Sequence, residues 1–263
     1  PGALMLSCGT AWVVLAATER PLFDESHSVQ GYCHAVPGGY AVLGAYAGGN
    51  LLRWFRDTLW DGHGVLTPAP LPRCAPERGT ADGNDPYDLI TAEAEAALTA
   101  GRPPLVFLPH FYGASGPIRC QAARGAWAGL TLQHTRGDMA LALLNGVAVQ
   151  TALTVDNLAR QGAASDDIRM IGGGARSRFW AQLVANATGL PIRRPEVREA
   201  AAYGAALVAA TALGAFPSLA AATAGLTIRD VIEPTAPAAR DTLDRHQELL
   251  RALAPLWEGL GRL

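Results

Sequence analysis

The sequence contains no lysine. Arginine supplies all 21 basic residues, against 23 aspartate and glutamate residues, for a net charge of −2. Without lysine there is no Schiff-base enzyme, no pyridoxal-phosphate site and no P-loop, whose lysine holds the β- and γ-phosphates. The near-neutral charge and the lack of basic clusters argue against a sequence-independent nucleic-acid binder, which needs many phosphate contacts. We therefore expect no nucleic-acid partner.

Cysteine is scarce as well. Its four copies lie far apart, without the C-x-x-C spacing of a metal site, so we expect reduced thiols in a cytoplasmic protein. The six histidines show no ligand spacing, and we expect no metal site from them. The run 82–93 has the length of a calcium loop, but Pro86 occupies a ligand position and Tyr87 the position of the sharp turn. We interpret it as a turn that enters a helix.

Long apolar runs are few. The longest stretch without charge, 200–228, is mostly alanine and is interrupted by Gly204, Gly214 and Pro217. This composition is weak for a membrane span, and we predict that its first half is a buried core helix. No basic segment followed by an apolar core opens the sequence, so we expect neither a signal peptide nor a membrane partner.

The residues that are present indicate one α/β domain. Apolar residues make up 49% of the chain, enough for a packed core. Two apolar runs flank Gly9-Thr10, a glycine turn joins two further β segments, and helical spacing begins at Gly49. After a loop over 61–86, β and α patterns alternate, which predicts a mixed sheet. The later predicted helices cover 85–98, 138–161, 177–188, 199–213 and 240–254, with Pro255 as the end of the last, and the later predicted strands cover 105–108, 126–132, 168–171 and 191–194.

Three glycine-rich turns could carry binding chemistry. In the strongest, a strand ends at Ile171, three glycines follow, and a helix begins near Ser177. Glycines there would let backbone N–H groups approach a ligand closely. The hairpin tip at Gly9-Thr10 offers backbone N–H groups and a hydroxyl to phosphate oxygens. The third turn, at Gly48-Gly49, precedes a helix. Taken singly, each could also be an ordinary turn that binds nothing.

Taken together and in this order, the segments resemble the FGGY family of carbohydrate kinases, closest to its xylulose-kinase-like branch. The resemblance covers residues from about 4 to about 215. Its main motifs here are a glycine cluster followed by Ser177 and Trp180-x-Gln182, and the block 199–206. Further matches are Cys8-Gly9-Thr10-Ala11, the helix 49–57, Phe107-Leu108-Pro109 and the run 124–130.

The resemblance implies an actin-like ATPase (ribonuclease H-like) fold, an α/β domain whose mixed sheet is flanked by helices. It implies that 1–263 is the C-terminal ATP-binding domain, and that the N-terminal domain, absent from this sequence, holds the sugar and the catalytic base. No catalytic residue and no protein-built metal site are therefore expected here. ATP with Mg²⁺ is the implied cofactor, and a sugar or polyol is the implied substrate; a homodimer is left open. The implied ATP-binding residues are Gly9, Thr10, Gly49, Arg53, Gly173, Gly174, Ala175 and Ser177.

The sequence departs from the family pattern at several positions. Ala11 replaces a serine, and Ala114 lies in a loop that usually carries Glu-Arg. Leu141 and Asn145 replace an arginine and a glutamate, and Asn186 replaces an aspartate. Apolar and neutral groups thus replace a charge network, which need not cost stability. The alternative hypothesis is a non-catalytic nucleotide-binding or structural module of the actin-like ATPase superfamily, because no base is identifiable in the sequence.

Overall fold

A seven-stranded mixed sheet forms the centre of the molecule. The structure, a computed structural model, describes residues 2–24, 28–60, 85–197, 199–236 and 240–260. The strands within these ranges are β1 (Leu4–Cys8), β2 (Ala11–Thr18), β3 (Gln30–Cys33), β4 (Tyr40–Ala47), β5 (Val106–Leu108), β6 (Ala126–Ala128), β7 (Ile168–Ile171), β8 (Ile192–Pro195) and β9 (Ile228–Ile232).

The order of strands in the sheet is β3-β4-β2-β1-β7-β8-β9. β1, β7 and β8 run parallel, and every other neighbouring pair is antiparallel. Burial alternates along β1 and β2, as the two-residue period of a strand requires. One face of these strands is in the core, while Met5, Val13 and Leu15 on the other face remain partly exposed. β5 and β6 form a separate two-stranded sheet.

Seven helices lie within the described ranges, and α1, α3 and α4 contact strands of the large sheet. The helices are α1 (Gly49–Phe55), α2 (Pro86–Thr99), α3 (Arg136–Arg160), α4 (Arg178–Thr188), α5 (Ala200–Ala212), α6 (Leu219–Thr223) and α7 (Arg240–Leu260). A π-helical turn, Arg56–Trp60, continues α1, and a 3₁₀ turn, Gly173–Arg176, precedes α4.

The long helix α3 lies at the centre of the core, where it contacts α2, α4 and α7. Its N-terminus is held by a capping box between Thr135 and Asp138, and Arg102 donates to both oxygens of the Asp138 carboxylate at 2.8–2.9 Å. Burial alone would raise the pKa of Asp138, but the hydrogen bonds from Arg102 and Thr135 outweigh it, and the pKa is lowered. Of the described helices, α3 alone is long and apolar enough to cross a membrane, yet most of it is buried inside the domain.

The predicted α/β architecture with a mixed sheet is confirmed, and most elements lie where the patterns placed them. Two predictions are wrong. None of the residues of α5 is buried, although we expected a core helix there. The final helix does not end at Pro255 but continues to Leu260. Proline removes one backbone hydrogen bond, and burial of Trp257 beyond it favours continuation of the helix.

Two elements had no sequence signal that we recognised. The short helix α6 and the edge strand β9 both fall in a region that we had left without structure. β6 stops at Ala128, four residues before the predicted end. The loop predicted over 61–86 lies, apart from its last two residues, outside the described residues, as does part of the run 82–93.

Candidate functional site

The three glycine turns meet at one cleft, with a volume of about 270 Å³. The hairpin tip between β1 and β2, the start of α1 and the 3₁₀ turn before α4 form its walls, and the first turns of α2 close another side. The hairpin tip and the glycine turn, which are more than 150 residues apart in sequence, therefore share one cleft. The lining residues are Cys8, Gly9, Thr10, Gly49, Leu52, Arg53, Asp85, Tyr87, Asp88, Thr91, Gly173, Gly174, Arg176, Ser177 and Trp180.

The hairpin tip and the start of α1 are in direct contact. A Cβ at Gly49 would lie 2.4 Å from the carbonyl oxygen of Gly9, so only glycine fits at this position. The Asn50 N–H donates to the Thr10 carbonyl at 3.0 Å and fixes the two segments to each other. This close backbone approach places the tip and the exposed Thr10 hydroxyl at one end of the cleft. There they can donate hydrogen bonds to oxygens of an anionic ligand.

The glycine turn crosses the same tip. Gly172 has a φ of 90°, a left-handed conformation that favours glycine, and a Cβ there would lie 3.0 Å from the Cys8 carbonyl oxygen. At Gly173 an added Cβ would meet only that oxygen, at 3.9 Å, so the backbone of Gly173 is open to a ligand. The Ser177 hydroxyl oxygen accepts from the Trp180 N–H at 3.1 Å and caps α4, while its own proton can still be donated.

A buried arginine, paired with a partly exposed aspartate, holds the glycine turn from behind. Arg194 of β8, only 4% exposed, donates through Nη1 to the Ala175 carbonyl at 2.9 Å. Its Nε donates to Asp230 of β9 at 2.8 Å, and its Nη2 donates to the second oxygen of the same carboxylate. Hydrogen bonding to Arg194 holds the pKa of Asp230 below its usual range, against the opposing effect of burial. The edge strand that the sequence did not predict therefore stabilises this wall of the cleft.

The α2 wall carries polar groups of both signs. Arg56 donates to the Tyr87 hydroxyl at 2.8 Å, and Arg53 also hydrogen-bonds to that side chain. Burial raises the pKa of Tyr87, although the charge of Arg56 opposes the shift. The Asp85 carboxylate caps α2 by accepting from the Tyr87 N–H at 2.9 Å. Asp88, one turn into α2, is exposed on the same wall.

Seven of the eight implied binding residues line the cleft, and Ala175 is the exception. Its side chain is buried, and its carbonyl is the group that Arg194 holds. Sequence reasoning missed the contribution of α2, because residues 61–84 separate it from the glycine motifs and carry no pattern that links them. It also missed Cys8 as a wall residue, whose thiol pKa is raised by burial, so that the sulfur is neutral.

The combination of groups indicates the class of ligand. Backbone N–H groups and the Thr10 hydroxyl lie at one end, Ser177 and the face of α4 lie at the other, and the guanidinium groups of Arg53 and Arg176 lie on the rim. Such a set can bind an elongated anion with hydrogen-bonding groups at both ends. Two hollows of larger volume, about 440 and 460 Å³, lie elsewhere on the described surface and contain none of these glycine turns.

Neutral hydrogen bonds lie at or near two of the departures from the family pattern, Ala114 and Asn186. Gln150 of α3 donates to the Gly116 carbonyl at 2.7 Å, which joins α3 to the loop that contains Ala114. Asn186 accepts from the Gln182 side chain at 3.0 Å and from the Thr235 N–H at 2.9 Å. Neutral hydrogen bonds thus connect these segments.

Comparison with known proteins gives consistent results. The chain is 28% identical over 232 residues to a xylulose kinase from Staphylococcus epidermidis, which covers 88% of this chain and 42% of that protein. It is 27% identical over 267 residues to a gluconokinase from Bacillus subtilis, covering 100% of this chain and 47% of that protein. The crystal structure of a xylulose kinase from Rhodospirillum rubrum superposes with a TM-score of 0.78 at 29% identity, covering 98% of this chain and 48% of that one.

The predicted actin-like ATPase fold is confirmed by this structural likeness to sugar kinases. The chain spans less than half the length of these relatives. The model of the C-terminal domain of the FGGY family of carbohydrate kinases matches residues 4–213, which is most of the chain. The chain therefore belongs to the FGGY family of carbohydrate kinases and corresponds to its C-terminal domain.

Proposed function

We propose that this chain is the ATP-binding half of a sugar or polyol kinase, which transfers the γ-phosphoryl group of ATP to a carbohydrate hydroxyl in the cytoplasm. The observation that supports it most strongly is the single cleft that gathers the hairpin tip and the glycine turn. The phosphates would lie at Gly9, Thr10 and Gly49, beside Arg53. The nucleoside would lie along Gly173 and Gly174, with Ser177 as a hydrogen-bond partner of the base.

The cleft is slightly smaller than a complete ligand site usually is. Pockets that bury a ligand of nucleotide size typically enclose roughly 300–1,000 Å³, and this cleft has about 270 Å³ with one side open. A second domain that closed over the nucleotide would exclude water and add the sugar contacts. We therefore propose that the chain acts together with a substrate-binding domain equivalent to the other half of its relatives.

We propose that α5 packs against that second domain. The helix is apolar throughout, none of its residues is buried, and its packing in the described chain is mainly with α6. Tyr203, Val208 and Leu213 in and after it are 38%, 42% and 87% exposed. An apolar surface of this kind is typical of an interface, and the missing half of the relatives' length supplies an occupant. A second copy of this chain is the competing occupant, to be detected as a homodimer by sedimentation.

The proposed chemistry is positioning and charge stabilisation. Mg²⁺ would enter with ATP and neutralise charge on its phosphate oxygens. The residues of this chain would orient the nucleotide and hold the β-phosphate end at the tip, while a carboxylate of the second domain removes the proton of the sugar hydroxyl. Thr10 is suited to this orientation because its hydroxyl lies at the exposed end of the cleft.

The competing function is a non-catalytic nucleotide-binding module. It is favoured by the neutral groups at Leu141 and Asn145 and by the loop at Ala114, where the family usually carries charged residues. Both functions predict nucleotide binding, and only the kinase predicts sugar-dependent turnover.

Nucleotide binding is tested by calorimetry with ADP and ATP. We expect weak binding, because half of the site is open. Gly173→Val is the informative variant, since its Cβ has room within the fold but would project toward the ligand. Gly225→Val is the matched control, because an added Cβ there meets nothing within 4 Å and the residue does not line the cleft. Equal ADP affinity in the wild-type chain and Gly173→Val would show that the glycine turn is not part of the nucleotide-binding site.

Catalysis is tested by ADP release with a panel of ketoses, aldoses and polyols. We expect no sugar-dependent turnover by this chain alone, and turnover when it is joined to a substrate-binding domain equivalent to the other half of its relatives. Turnover by the chain alone would contradict the proposal that a second domain supplies the catalytic base and the sugar contacts. If the joined protein shows no turnover with any sugar or polyol of the panel, the non-catalytic module is favoured.

A further inference from the structure

We propose that Trp12 is a positioning residue for the nucleotide, because its indole ring sets the spacing between the Gly48 turn and the Gly174 turn. These turns carry two walls of the cleft. The inference rests on the proposed nucleotide-binding function, and it concerns a residue that does not itself line the cleft. Trp12 is fully buried on β2, two residues after Thr10.

On one side, the ring touches the turn that leads into α1. A Cβ at Gly48 would lie 2.1 Å from Cδ1 of Trp12 and 2.7 Å from its Nε1. The backbone of Gly48 therefore rests directly on the five-membered part of the indole. Gly49, which lines the cleft, is the next residue, so any displacement of the ring changes the position of this wall.

On the other side, the ring touches the glycine turn. A Cβ at Gly174 would lie 3.0 Å from Cζ2 of Trp12 and 2.9 Å from Cβ of Cys8. The six-membered part of the indole thus lies against Gly174, while the five-membered part supports Gly48. One rigid ring bridges two segments that are more than a hundred residues apart in sequence.

Trp12 also packs on the tryptophan that faces the ligand. Its ring centroid is 4.5 Å from that of Trp180, with the planes tilted by 40°. Trp180 lines the cleft and donates from Nε1 to the Leu144 carbonyl of α3 at 3.0 Å. The pair therefore connects the cleft to the most buried helix of the domain.

Beyond the backbone pairing of β2, the Trp12 side chain is held by packing alone among the described residues. Its Nε1 is buried and has no hydrogen-bond partner among the described residues. A buried unpaired donor is unfavourable for folding, so the indole N–H contributes no stability that phenylalanine would lose. Phenylalanine at position 12 would break no hydrogen bond, would keep aromatic contact with Gly48, and would withdraw the six-membered ring from Gly174.

Trp12→Phe is therefore the direct test. We expect its ADP dissociation constant to rise about tenfold by calorimetry, at a temperature where the variant is fully folded. Trp127→Phe is the matched control: Trp127 belongs to a separate aromatic cluster and donates to the Met139 carbonyl at 3.2 Å. Trp127→Phe removes this hydrogen bond, which should lower the melting temperature but change the ADP dissociation constant less than twofold.

A second variant perturbs the same contact from the other side. Gly174→Ala should weaken ADP binding in the wild-type chain, because the added methyl group crowds Trp12. In the Trp12→Phe background the same substitution should cost less affinity, since the crowded ring is gone. Additive effects of the two substitutions, or equal ADP affinity in wild type and Trp12→Phe, would overturn this inference but leave the proposed function intact. Absence of ADP binding by the wild-type chain would overturn the proposed function, and this inference with it.

Discussion

Two apolar helices of this domain have opposite surroundings. α3 has 25 residues and lies between α2, α4 and α7, so that most of its side chains are buried. α5 has 13 residues of comparable apolar character, and none of them is buried. Composition therefore predicts that both segments are apolar helices, but it does not predict which surface packs against each of them.

The difference shows where the domain is complete and where it is open. α3 obtains its partners from within the chain, and its N-terminus is fixed by the Arg102–Asp138 ion pair. α5 has no comparable support: its N-cap residue, Glu199, makes no side-chain capping hydrogen bond. The two helices should respond differently to the same kind of change, and the four predictions below test this in order of expected size.

The largest effect should come from truncating a core residue of α3. Leu143→Ala removes a fully buried side chain and leaves a cavity, which should cost about 3 kcal/mol of unfolding free energy. Val208→Ala, on α5, removes a side chain that is 42% exposed and should cost less than about 0.5 kcal/mol. Urea unfolding measures both. Similar losses would show that α5 has partners in the free chain.

A smaller effect should follow from acidification. His110, after β5, and His246, on the helix α7 that covers α3, are buried with ring centroids 5.9 Å apart. Burial lowers the pKa of His110 to about 4, and burial together with the charge of His110 lowers the pKa of His246 to about 3. The unfolded chain binds these protons near pH 6.5. Stability is therefore full above pH 6.5 and falls as the pH drops toward the folded values.

Between pH 7 and 5.5 we expect a loss of roughly 2 kcal/mol from the two imidazoles together. His246→Phe should remove about half of this pH dependence, measured by urea unfolding at several pH values. Leu250, an uncharged buried residue of the same helix, provides the control, and Leu250→Ala should lower the free energy of unfolding by a similar amount at every pH. An unchanged profile in His246→Phe would contradict the assignment of acid sensitivity to the buried pair.

Loss of the side chain that caps the helix should destabilise α3 but not α5. Asp138→Ala removes both the capping box of α3 and the ion pair with Arg102, and should cost about 1–2 kcal/mol. Glu199→Ala at the N-cap of α5 should change little, since no capping bond is lost. Thermal unfolding of the two variants measures the contrast. A larger loss from Glu199→Ala than from Asp138→Ala would invert the comparison.

The smallest effect on the chain alone should come from a charge on α5. Val208→Asp should leave the free energy of unfolding within about 0.5 kcal/mol of wild type. The same substitution should weaken association with the proposed second domain, because it would bury an unpaired carboxylate. Chromatographic association of the separately produced domains measures this. Unimpaired association would show that the α5 surface is not the interface.

Much of the fold was predictable because local patterns and long-range packing agree. The two runs that flank Gly9-Thr10 are continuous apolar segments separated by a turn, and the strand before Gly172 ends at glycine. In the structure their burial alternates with the strand period. α3 was predicted within two residues at its start and one at its end, since a strong apolar pattern begins at a capping signal and stops near Gly162. The glycine motifs also indicated a binding cleft, and the structure brings them to one place.

Other features lay beyond sequence reasoning. Pro255 is a strong stop signal, yet the buried Trp257 lies two residues past it in the same helix. The strand β9 has only partial alternation and is identified by its pairing with β8. Tyr87 reaches the cleft because Arg53 and Arg56 hold it there.

The sequence by itself determined the periodicities, the turns and the glycine positions, because these depend on the allowed backbone angles and the polarity of neighbouring residues. It therefore identified the strands other than β9 and the core helix α3, while the family resemblance supplied the implied binding residues. Only the tertiary structure decided that Trp12 lies between Gly48 and Gly174, that Arg194 holds the glycine turn, and that α5 is exposed. These depend on which surfaces meet, and contacts between residues distant in sequence leave no local periodicity by which to recognise them.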